Sequence, residues 1–334
     1  QPYAVDAHSM AIGDINGDGL SDILVGDWGN KPFVLMQKSD GSFNIIQNDF
    51  YSYVAELPSD NPGKNNLLID LGFIDINNDG YDDIIAGYGH GDTSSKIFIS
   101  NNGEFNKGSY IDIPDSIYGS ENQLHMKTMV ADFDHDGDED LAIQWSRNEP
   151  YYGGHYIQIL INDGNSNLVD VTNTIDSRSI EDAYLERLQW SEPWQMLDIN
   201  NDNHIDIIGT RATNKNPIIY INDGSARFKI DEVLLNISLG SPYIFSDFDN
   251  DRKLEFITVG TSVNAANTET KISFNLYEVT SEIGTGPNYS IDTAEKGAPG
   301  FNEEYYLNEN LSARNAVIDG TYETGLAHYL AEGK

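Results

Sequence analysis

The sequence contains no cysteine. Disulfide bonds, thiolate metal sites and a cysteine nucleophile are therefore all excluded. Long apolar runs are also missing, since no stretch approaches the roughly eighteen consecutive apolar residues of a membrane-spanning helix. A chain of 334 residues without disulfides must rely on core packing, and a bound metal is the natural substitute cross-link.

Positive charge is scarce. Lysine and arginine number 19 against 54 acidic residues, which gives a formal net charge of −35 at pH 7. Nucleic acids and anionic membrane surfaces repel such a surface, so we expect binding to neither, and the lack of long apolar runs argues against membrane insertion. The sequence also lacks a G-x-S-x-G motif and a phosphate-binding loop, and its seven histidines never occur in an H-x-x-x-H spacing.

One nine-residue motif occurs five times. The copies, numbered loops 1 to 5, are DINGDGLSD (14–22), DINNDGYDD (75–83), DFDHDGDED (132–140), DINNDNHID (198–206) and DFDNDRKLE (247–255). Each copy has an oxygen-bearing side chain at positions 1, 3, 5 and 9, and Ca²⁺ takes six to eight oxygen ligands at about 2.3–2.6 Å. The motif therefore predicts one calcium site per loop, with these side chains as candidate ligands: Asp14, Asn16, Asp18 and Asp22; Asp75, Asn77, Asp79 and Asp83; Asp132, Asp134, Asp136 and Asp140; Asp198, Asn200, Asp202 and Asp206; Asp247, Asp249, Asp251 and Glu255.

The segments around each loop predict β-strands. A short apolar run precedes every loop, a second follows it, and a third ends in an Asn/Asp-Gly turn in four of the five repeats. The loops begin 49 to 66 residues apart, a spacing that fits four short strands, or one propeller blade. We therefore predict an all-β propeller of four-stranded blades over residues 1–283. Five blades are visible, and a ring of six or seven blades is the alternative.

The last fifty residues differ in composition. Residues 284–300 are rich in Gly, Pro, Ser and Thr, which is typical of a linker. Residues 301–334 have apolar residues at helical spacing, with Gly320 and Gly333 at positions where helices end. The sequence therefore predicts a linker followed by a short α-helical tail.

The unit D-x-[DN]-x-D-G-x-x-D-[IL]-x-[VA]-G resembles the FG-GAP/VCBS repeat of integrin-type β-propellers. The match is close at residues 14–26 and 75–87 and weaker in loops 3 to 5. The resemblance implies about four to five structural Ca²⁺ ions, bound by the side chains above and by the backbone carbonyl at position 7. The residues at position 7 are Leu20, Tyr81, Asp138, His204 and Lys253.

Two loops depart from the repeat pattern. In loop 4, Asn203 replaces the turn glycine, and asparagine tolerates the positive φ that this position requires. In loop 5, Arg252 replaces the glycine and Glu255 replaces the final aspartate. We therefore expect the fifth calcium site to be weak or empty.

Localisation is predicted from two features. Calcium sites of this kind fill where calcium is abundant, and the tail resembles a small helical module of secreted bacterial proteins, from Tyr305 to Gly333. The sequence also begins at Gln1 without a leader, as removal of a signal peptide or trimming of the chain would leave it. We expect a secreted or cell-surface protein from a bacterium.

We expect ligand contact at the end opposite the nine-residue loops, in the unrepeated loops between second and third strands and between the fourth strand and the next blade. Aromatic rings stack on the C–H faces of sugars, while polar side chains bond sugar hydroxyls. Packing between blades is the competing interpretation for each aromatic residue. The candidates are Trp28, Asn30, Tyr88, His90, Trp145, Arg147, Tyr152, His155 and Arg211.

Three functions remain open. The first is a calcium-stabilised propeller that binds carbohydrate or a surface polymer. The second is a polysaccharide lyase or other glycan-active enzyme, with the weak catalytic candidates His90, His155, Tyr151, Tyr152 and Arg147. The third is a protein–protein adhesion or scaffold module. Because no catalytic motif is present, we favour a binding protein.

Overall fold

The computed structural model describes residues 7–27, 32–55, 67–149, 153–172, 194–200, 202–210, 217–232, 243–246, 248, 255–263, 270–279 and 293–295. These residues form twenty β-strands and one α-helix. The chain divides into two compact units, residues 1–232 and 233–334. The single helix of the described residues spans only seven residues, and no helix there is long and apolar enough to cross a membrane.

The first unit contains four antiparallel sheets, each formed by consecutive strands in the order 1-2-3-4. Sheet 1 consists of β1 (Ala7–Gly13), β2 (Asp22–Asp27), β3 (Phe33–Gln37) and β4 (Phe43–Ile46). Sheet 2 consists of β5 (Leu67–Ile74), β6 (Asp83–Gly89), β7 (Lys96–Asn101) and β8 (Glu104–Asp112). Sheet 3 consists of β9 (Gln123–Ala131), β10 (Asp140–Arg147), β11 (Gly153–Asn162) and β12 (Leu168–Asp170). Sheet 4 consists of β13 (Gln195–Leu197), β14 (Asp206–Thr210), β15 (Pro217–Asn222) and β16 (Phe228–Glu232).

The second unit contains sheet 5, formed by β17 (Tyr243–Ser246), β18 (Glu255–Val263), β19 (Thr270–Val279) and β20 (Thr293–Glu295). Strand β20 pairs with β19, with Tyr277 opposite Glu295. Three residues of the predicted linker are therefore the fourth strand of this sheet, and the sheet extends beyond the boundary predicted at residue 283. The predicted helical tail, 301–334, lies outside the described residues.

The burial of the strands explains why the apolar runs of the sequence predicted them. Every residue of β6 and β10 is buried, as expected for inner strands covered on both faces. Strand β8, at the edge of its sheet, is mostly exposed. All five predicted blades are present as four-stranded antiparallel sheets, so the prediction of an all-β, propeller-type fold is confirmed.

The core lies between successive sheets of the first unit. Leu24 and Val34 of sheet 1 belong to one apolar cluster with Leu71, Ile84 and Phe98 of sheet 2. Further clusters join sheet 2 to sheet 3 and sheet 3 to sheet 4. Each fully buried aliphatic side chain contributes about 1.5–3 kcal/mol to stability, so these seams hold neighbouring sheets face to face.

The helix α1 (Asp49–Ala55) connects sheet 1 to sheet 2 and was not predicted. The carboxamide of Asn48 caps it, because Asn48 Oδ1 accepts hydrogen bonds from the backbone N–H groups of Phe50 and Tyr51, both at 3.0 Å. Phe50, Tyr51 and Val54 are buried against the sheets. Aromatic and β-branched residues are typical of strands, which hid this helix from sequence analysis.

Candidate metal centres

The nine-residue loops lie between the first and second strands of sheets 1 to 4, at what is called here the loop end of the sheets. In loop 2, Asp75 Oδ1 and Oδ2 accept hydrogen bonds from the backbone N–H groups of Asp79 (3.0 Å) and Gly80 (2.8 Å). Asn77 Oδ1 accepts a second bond from Asp79 N, at 3.0 Å. Loops 1 and 4 have the same set of bonds, so the side chains at positions 1 and 3 turn inward in all three loops.

Positive φ angles shape the turns of loops 1 to 4. At position 6, Gly19, Gly80 and Gly137 have φ angles of 81°, 84° and 97°. Asn203 occupies the same position in loop 4 with a φ of 68°, which confirms that asparagine can replace the glycine there.

Loop 3 differs because Asp134 stands where loops 1, 2 and 4 have asparagine. One carboxylate oxygen from each of Asp132, Asp134 and Asp136 lies within 4.8 Å of the other two. Asp132 Oδ1 is buried and has no hydrogen-bond partner. Burial, followed by the charge of Asp136, raises the pKa of Asp134. Converging oxygens with one oxygen left without a partner fit a hard divalent cation.

The aspartate at position 9 is completely buried in loops 1 to 4. Asp140 shows its role: its Oδ2 accepts a hydrogen bond from Phe133 N in its own loop (2.8 Å), and its Oδ1 accepts one from Asn162 N in β11 (2.9 Å). Burial raises the pKa of Asp83 and Asp140 to about 7 and that of Asp206 to about 6. The carboxylate at position 9 thus joins its loop to the third strand of the same sheet in loops 1 to 4. Sequence analysis missed this role. The predicted role of this carboxylate as a ligand stays a prediction, since each oxygen keeps a second lone pair.

Side-chain amides extend these bonds from sheet to sheet. Asn162 Nδ2, in sheet 3, donates to the carbonyl oxygen of Ile76 in loop 2 at 3.0 Å. Asn222 Nδ2, in sheet 4, donates to the carbonyl oxygen of Phe133 in loop 3 at 2.8 Å. Ile76 N in turn donates to Asp83, as Phe133 N does to Asp140. A continuous series of hydrogen bonds therefore joins the position-9 carboxylates of loops 4, 3 and 2.

Neighbouring loops also contact each other directly. Asp82 Oδ2, at position 8 of loop 2, accepts a hydrogen bond from Asp14 N in loop 1 at 2.7 Å. Glu139 Oε2, at position 8 of loop 3, accepts one from Asp75 N in loop 2 at 3.0 Å. Position 4 of one loop meets position 7 of the next loop, as when Asn78 Nδ2 donates to Asp138 Oδ1. A structural change in one loop therefore alters the hydrogen bonds of the loop beside it.

In loop 5, Glu255 is buried, and its Oε2 accepts a hydrogen bond from Phe248 N at 2.9 Å. The longer side chain thus reproduces the bond from position 9 to position 2. The other candidates of this loop, Asp247, Asp249, Asp251 and Lys253, lie outside the described residues. A weak or empty fifth site stays a prediction.

Two aromatic residues predicted to contact a ligand belong to the interior instead. Tyr88 is 1% exposed, and its hydroxyl donates to the carbonyl oxygen of Val54 at 2.6 Å. Trp145 is fully buried, and its Nε1 donates to Gln158 Oε1 at 2.8 Å. Rings enclosed by protein cannot stack on a sugar, so this part of the prediction is wrong for Tyr88 and Trp145.

Arg147 is likewise committed to the protein. It is 8% exposed, its Nε donates to the carbonyl oxygen of Gly153 at 3.3 Å, and its guanidinium lies 5.9 Å from the ring centroid of Tyr118. A basic residue held in this way is poorly placed to neutralise the carboxylate of an incoming uronate. The predicted ligand-binding and weak catalytic roles of Arg147 are therefore not supported by its position.

His90 is half-buried and adopts a φ of 62°. Its Nδ1 lies 2.9 Å from Asn148 Oδ1, so the ends of β6 and β10 in neighbouring sheets are joined at the opposite end of the sheets. His155 lies in β11, but its side chain is not described. The remaining candidates lie outside the described residues: Trp28, Asn30, Tyr151, Tyr152 and Arg211.

A buried polar cluster between sheets 2 and 3 was missed by sequence analysis. His125 Nδ1 lies 2.8 Å from Ser95 Oγ, and His125 Nε2 lies 2.6 Å from Thr128 Oγ1 and 3.9 Å from Asp70 Oδ2. Burial lowers the pKa of His125 to about 3 and raises the pKa of Asp70. Nothing in the local sequence reveals this cluster, since its members come from β5, β7 and β9.

Comparisons with known proteins give a family match over part of the chain and distant likenesses to solved structures. A search of curated proteins finds no match. A solved structure of an engineered GH43 glycoside hydrolase, described as having both endo-xylanase and exo-arabinofuranosidase activity, aligns over 90% of this chain with 12% identity and a TM-score of 0.36. This chain spans 57% of the length of that structure, and a likeness of this size does not indicate function. Residues 75–143, from loop 2 into the second strand of sheet 3, match the family model of the FG-GAP-like repeat, so this part of the chain carries an FG-GAP-like repeat.

Proposed function

We propose that this protein is a secreted, calcium-stabilised module of the propeller type that binds a carbohydrate at the end of its sheets opposite the nine-residue loops. The observation that carries the calcium part is loop 3. There, Asp132, Asp134 and Asp136 converge within 4.8 Å, and one buried oxygen of Asp132 has no partner.

Electrostatics favours a cation in loop 3. Like charges this close repel one another, and the charge of Asp136 adds to the effect of burial in raising the pKa of Asp134. A bound divalent cation would convert the repulsion into attraction and cross-link the loop. Because every candidate donor is an oxygen and the donors are not arranged as a regular octahedron, Ca²⁺, which accepts varied geometries, suits the site better than Mg²⁺, which demands a stricter octahedral geometry.

The proposed role of calcium is structural. Asp132, Asp134, Asp136 and Asp140, with the carbonyl of Asp138, would hold the ion in loop 3. The buried position-9 carboxylates are bonded to the third strands and, through Asn162 and Asn222, to the next loop. Fixing one loop would therefore stabilise the contact between neighbouring sheets.

Two variants that remove the same charge from the same loop test the calcium part. Asp134→Asn removes the negative charge of a proposed side-chain ligand and leaves the carboxamide that loops 1, 2 and 4 have at this position, whereas Asp138→Asn changes a side chain whose residue is proposed to contribute only its backbone carbonyl. Calorimetric titration with Ca²⁺ should show one weakened site in Asp134→Asn and an unchanged set of sites in Asp138→Asn. Equal losses in the two variants would show that net charge, and not coordination, governs binding.

The carbohydrate part relies on polar groups held in fixed positions at the opposite end. Asn148 faces His90, while Asn122 Oδ1 accepts a hydrogen bond from Glu149 N at 2.7 Å and Asn148 N donates to the carbonyl of Asn122 at 2.8 Å. Glu149 is exposed beside them. Carboxylate, amide and imidazole groups on a backbone held by hydrogen bonds are suited to bonding hydroxyl groups. With a net charge of −35, we expect a neutral glycan rather than a polyuronate.

A glycan array in calcium buffer, containing neutral and acidic glycans, tests this part. We expect binding to a neutral glycan, with weaker binding by Glu149→Gln and His90→Ala. Glu104→Gln is the matched control, since Glu104 is an exposed glutamate at the loop end. Absence of binding to every glycan on the array would contradict the carbohydrate ligand and favour a protein partner. Release of an unsaturated product from alginate, pectin or ulvan, followed by absorbance, would show a lyase instead.

A further inference from the structure

Two histidines face each other where loops 3 and 4 meet. His135 occupies position 4 of loop 3, and His204 occupies position 7 of loop 4. His135 Nε2 lies 2.6 Å from His204 Nδ1, and the ring centroids are 4.7 Å apart at an interplanar angle of 61°. His135 is exposed and His204 is half-buried, so a small ion can reach both rings from solvent.

The backbone around the pair accommodates both rings. His135 has a φ of 62°, a left-handed conformation that costs a non-glycine residue about 1–2 kcal/mol. Gly224, with a φ of 82°, packs against the ring of His204, and a side chain at this position would overlap the imidazole. At the equivalent contacts the loops place Gly17 beside Tyr81 and Asn78 beside Asp138. Among these loop contacts in the described residues, only the contact between loops 3 and 4 brings together two side chains that can bind a metal through nitrogen.

We propose that His135 and His204 form a site for a d-block divalent cation such as Zn²⁺, Cu²⁺ or Ni²⁺, separate from the oxygen ligands of loops 3 and 4. Neutral imidazole is a preferred ligand of these ions, whereas Ca²⁺ prefers oxygen. In a tetrahedral zinc site with Zn–N bonds of about 2.0–2.1 Å, two ligand nitrogens lie about 3.3–3.4 Å apart. The two rings would need to separate by less than about 1 Å, which rings at the surface can do by small side-chain rotations.

Water would complete the coordination, since the two histidines supply only part of a four-ligand shell. The strongly acidic surface raises the local concentration of divalent cations. Because one histidine comes from each loop, the bound ion would act as a clip between sheets 3 and 4. This proposal does not depend on the carbohydrate ligand or on the occupancy of the calcium sites.

Calorimetric titration of the calcium-saturated protein with Zn²⁺ tests the proposal, because saturation removes the competing oxygen sites. His135→Asn and His204→Asn should each weaken Zn²⁺ binding by at least about tenfold. Loss of a residue that only supports a metal ligand already costs about tenfold, and loss of a ligand should cost no less. Asparagine is suitable at position 135, since Asn78 has a φ of 55° at the equivalent position. His90→Asn, at the opposite end of the sheets, should bind Zn²⁺ as the unmodified protein does.

Two further readouts separate imidazole ligation from binding by carboxylates. Electron paramagnetic resonance of the Cu²⁺-loaded protein should show nitrogen couplings that disappear in the double variant His135→Asn/His204→Asn. Zn²⁺ should raise the melting temperature of the unmodified protein and of Asp134→Asn, but not that of His204→Asn. Any of three results would overturn the proposal. The unmodified protein could fail to bind Zn²⁺, the double variant could still bind it, or Asp134→Asn, which keeps both histidines, could lose it.

Discussion

The two ends of the sheets in the first unit are built in different ways. At the loop end, the same hydrogen bonds recur from repeat to repeat, with Asp75, Asp14 and Asp198 each holding the same two backbone N–H groups. At the opposite end, the described contacts occur once each, such as His90 with Asn148. The difference indicates that the loop end is the repeated frame and that the opposite end carries what is particular to this protein.

The two ends also differ in how they handle charge. The loop end concentrates carboxylates, several with raised pKa values because of burial. The interior toward the opposite end instead keeps a histidine neutral, with the pKa of His125 lowered to about 3. The loop end should therefore respond to divalent cations, whereas the interior near His125 should be destabilised by acid.

Removal of calcium should produce the largest effect. A ligand at 100 times its dissociation constant stabilises the folded state by about 2.7 kcal/mol, and 1 kcal/mol shifts the melting temperature of a domain of 150–250 residues by about 2–4 °C. Each saturated site should therefore contribute about 5–10 °C, and chelation should lower the melting temperature by more than that. Scanning calorimetry with and without chelator provides the measurement, and superimposable melting curves would refute a structural role for the metal.

Asp140→Ala should be the most damaging of the single substitutions considered for the loop end. It leaves the backbone N–H groups of Phe133 and Asn162 without their acceptor in a buried site. An unsatisfied buried donor costs about 1–3 kcal/mol, so we expect a loss of about 2–4 kcal/mol in the free energy of unfolding. Urea denaturation in the presence of a chelator measures this loss of stability without a contribution from bound metal. Glu104→Ala, at an exposed position, should change stability by less than about 0.5 kcal/mol; comparable losses in both variants would contradict the account of position 9.

His125→Gln should change the response to acid. The pKa of His125 is about 3 in the folded protein and 6.5 when unperturbed, so the unfolded chain takes up a proton first as the pH falls. The contribution of His125 to stability is thus fully present above pH 6.5 and is lost as the pH falls toward 3, by up to about 1.4 kcal/mol per pH unit. Denaturation between pH 7 and 5 should show a smaller loss of stability in His125→Gln than in the unmodified protein. Parallel pH profiles would contradict a buried neutral histidine.

Asn162→Ala should have a smaller effect, in its own turn and at the contact between sheets 2 and 3. It removes the amide that donates to the carbonyl of Ile76 and accepts a hydrogen bond from Gly164 N, and each hydrogen bond of this kind contributes about 0.5–1.5 kcal/mol. Hydrogen exchange of the backbone amides in loop 2 should accelerate, because the change loosens a neighbouring sheet as well as its own. Acceleration restricted to residues beside position 162 would argue against the coupling of neighbouring loops.

The repeated part of the structure was predictable because its signals are local. Alternation of apolar runs with the nine-residue motif places the first and second strands of every sheet, and the positive φ of Asn203 follows from the chemistry of one position. The burial of Tyr88 and Trp145 was not predictable, because an aromatic residue that closes an apolar strand looks the same whether the next sheet covers it or solvent reaches it. The pairing of His135 with His204 depends on which loops become neighbours, and the His125 cluster depends on three separate strands.

The most direct test of the central claim is the anomalous scattering of calcium in crystals grown with saturating Ca²⁺. The account predicts a peak about 2.3–2.6 Å from the carboxylate oxygens of Asp132, Asp134 and Asp136, similar peaks in loops 1, 2 and 4, and the weakest peak in loop 5. A calcium-saturated crystal with no peak in loop 3 would contradict the account.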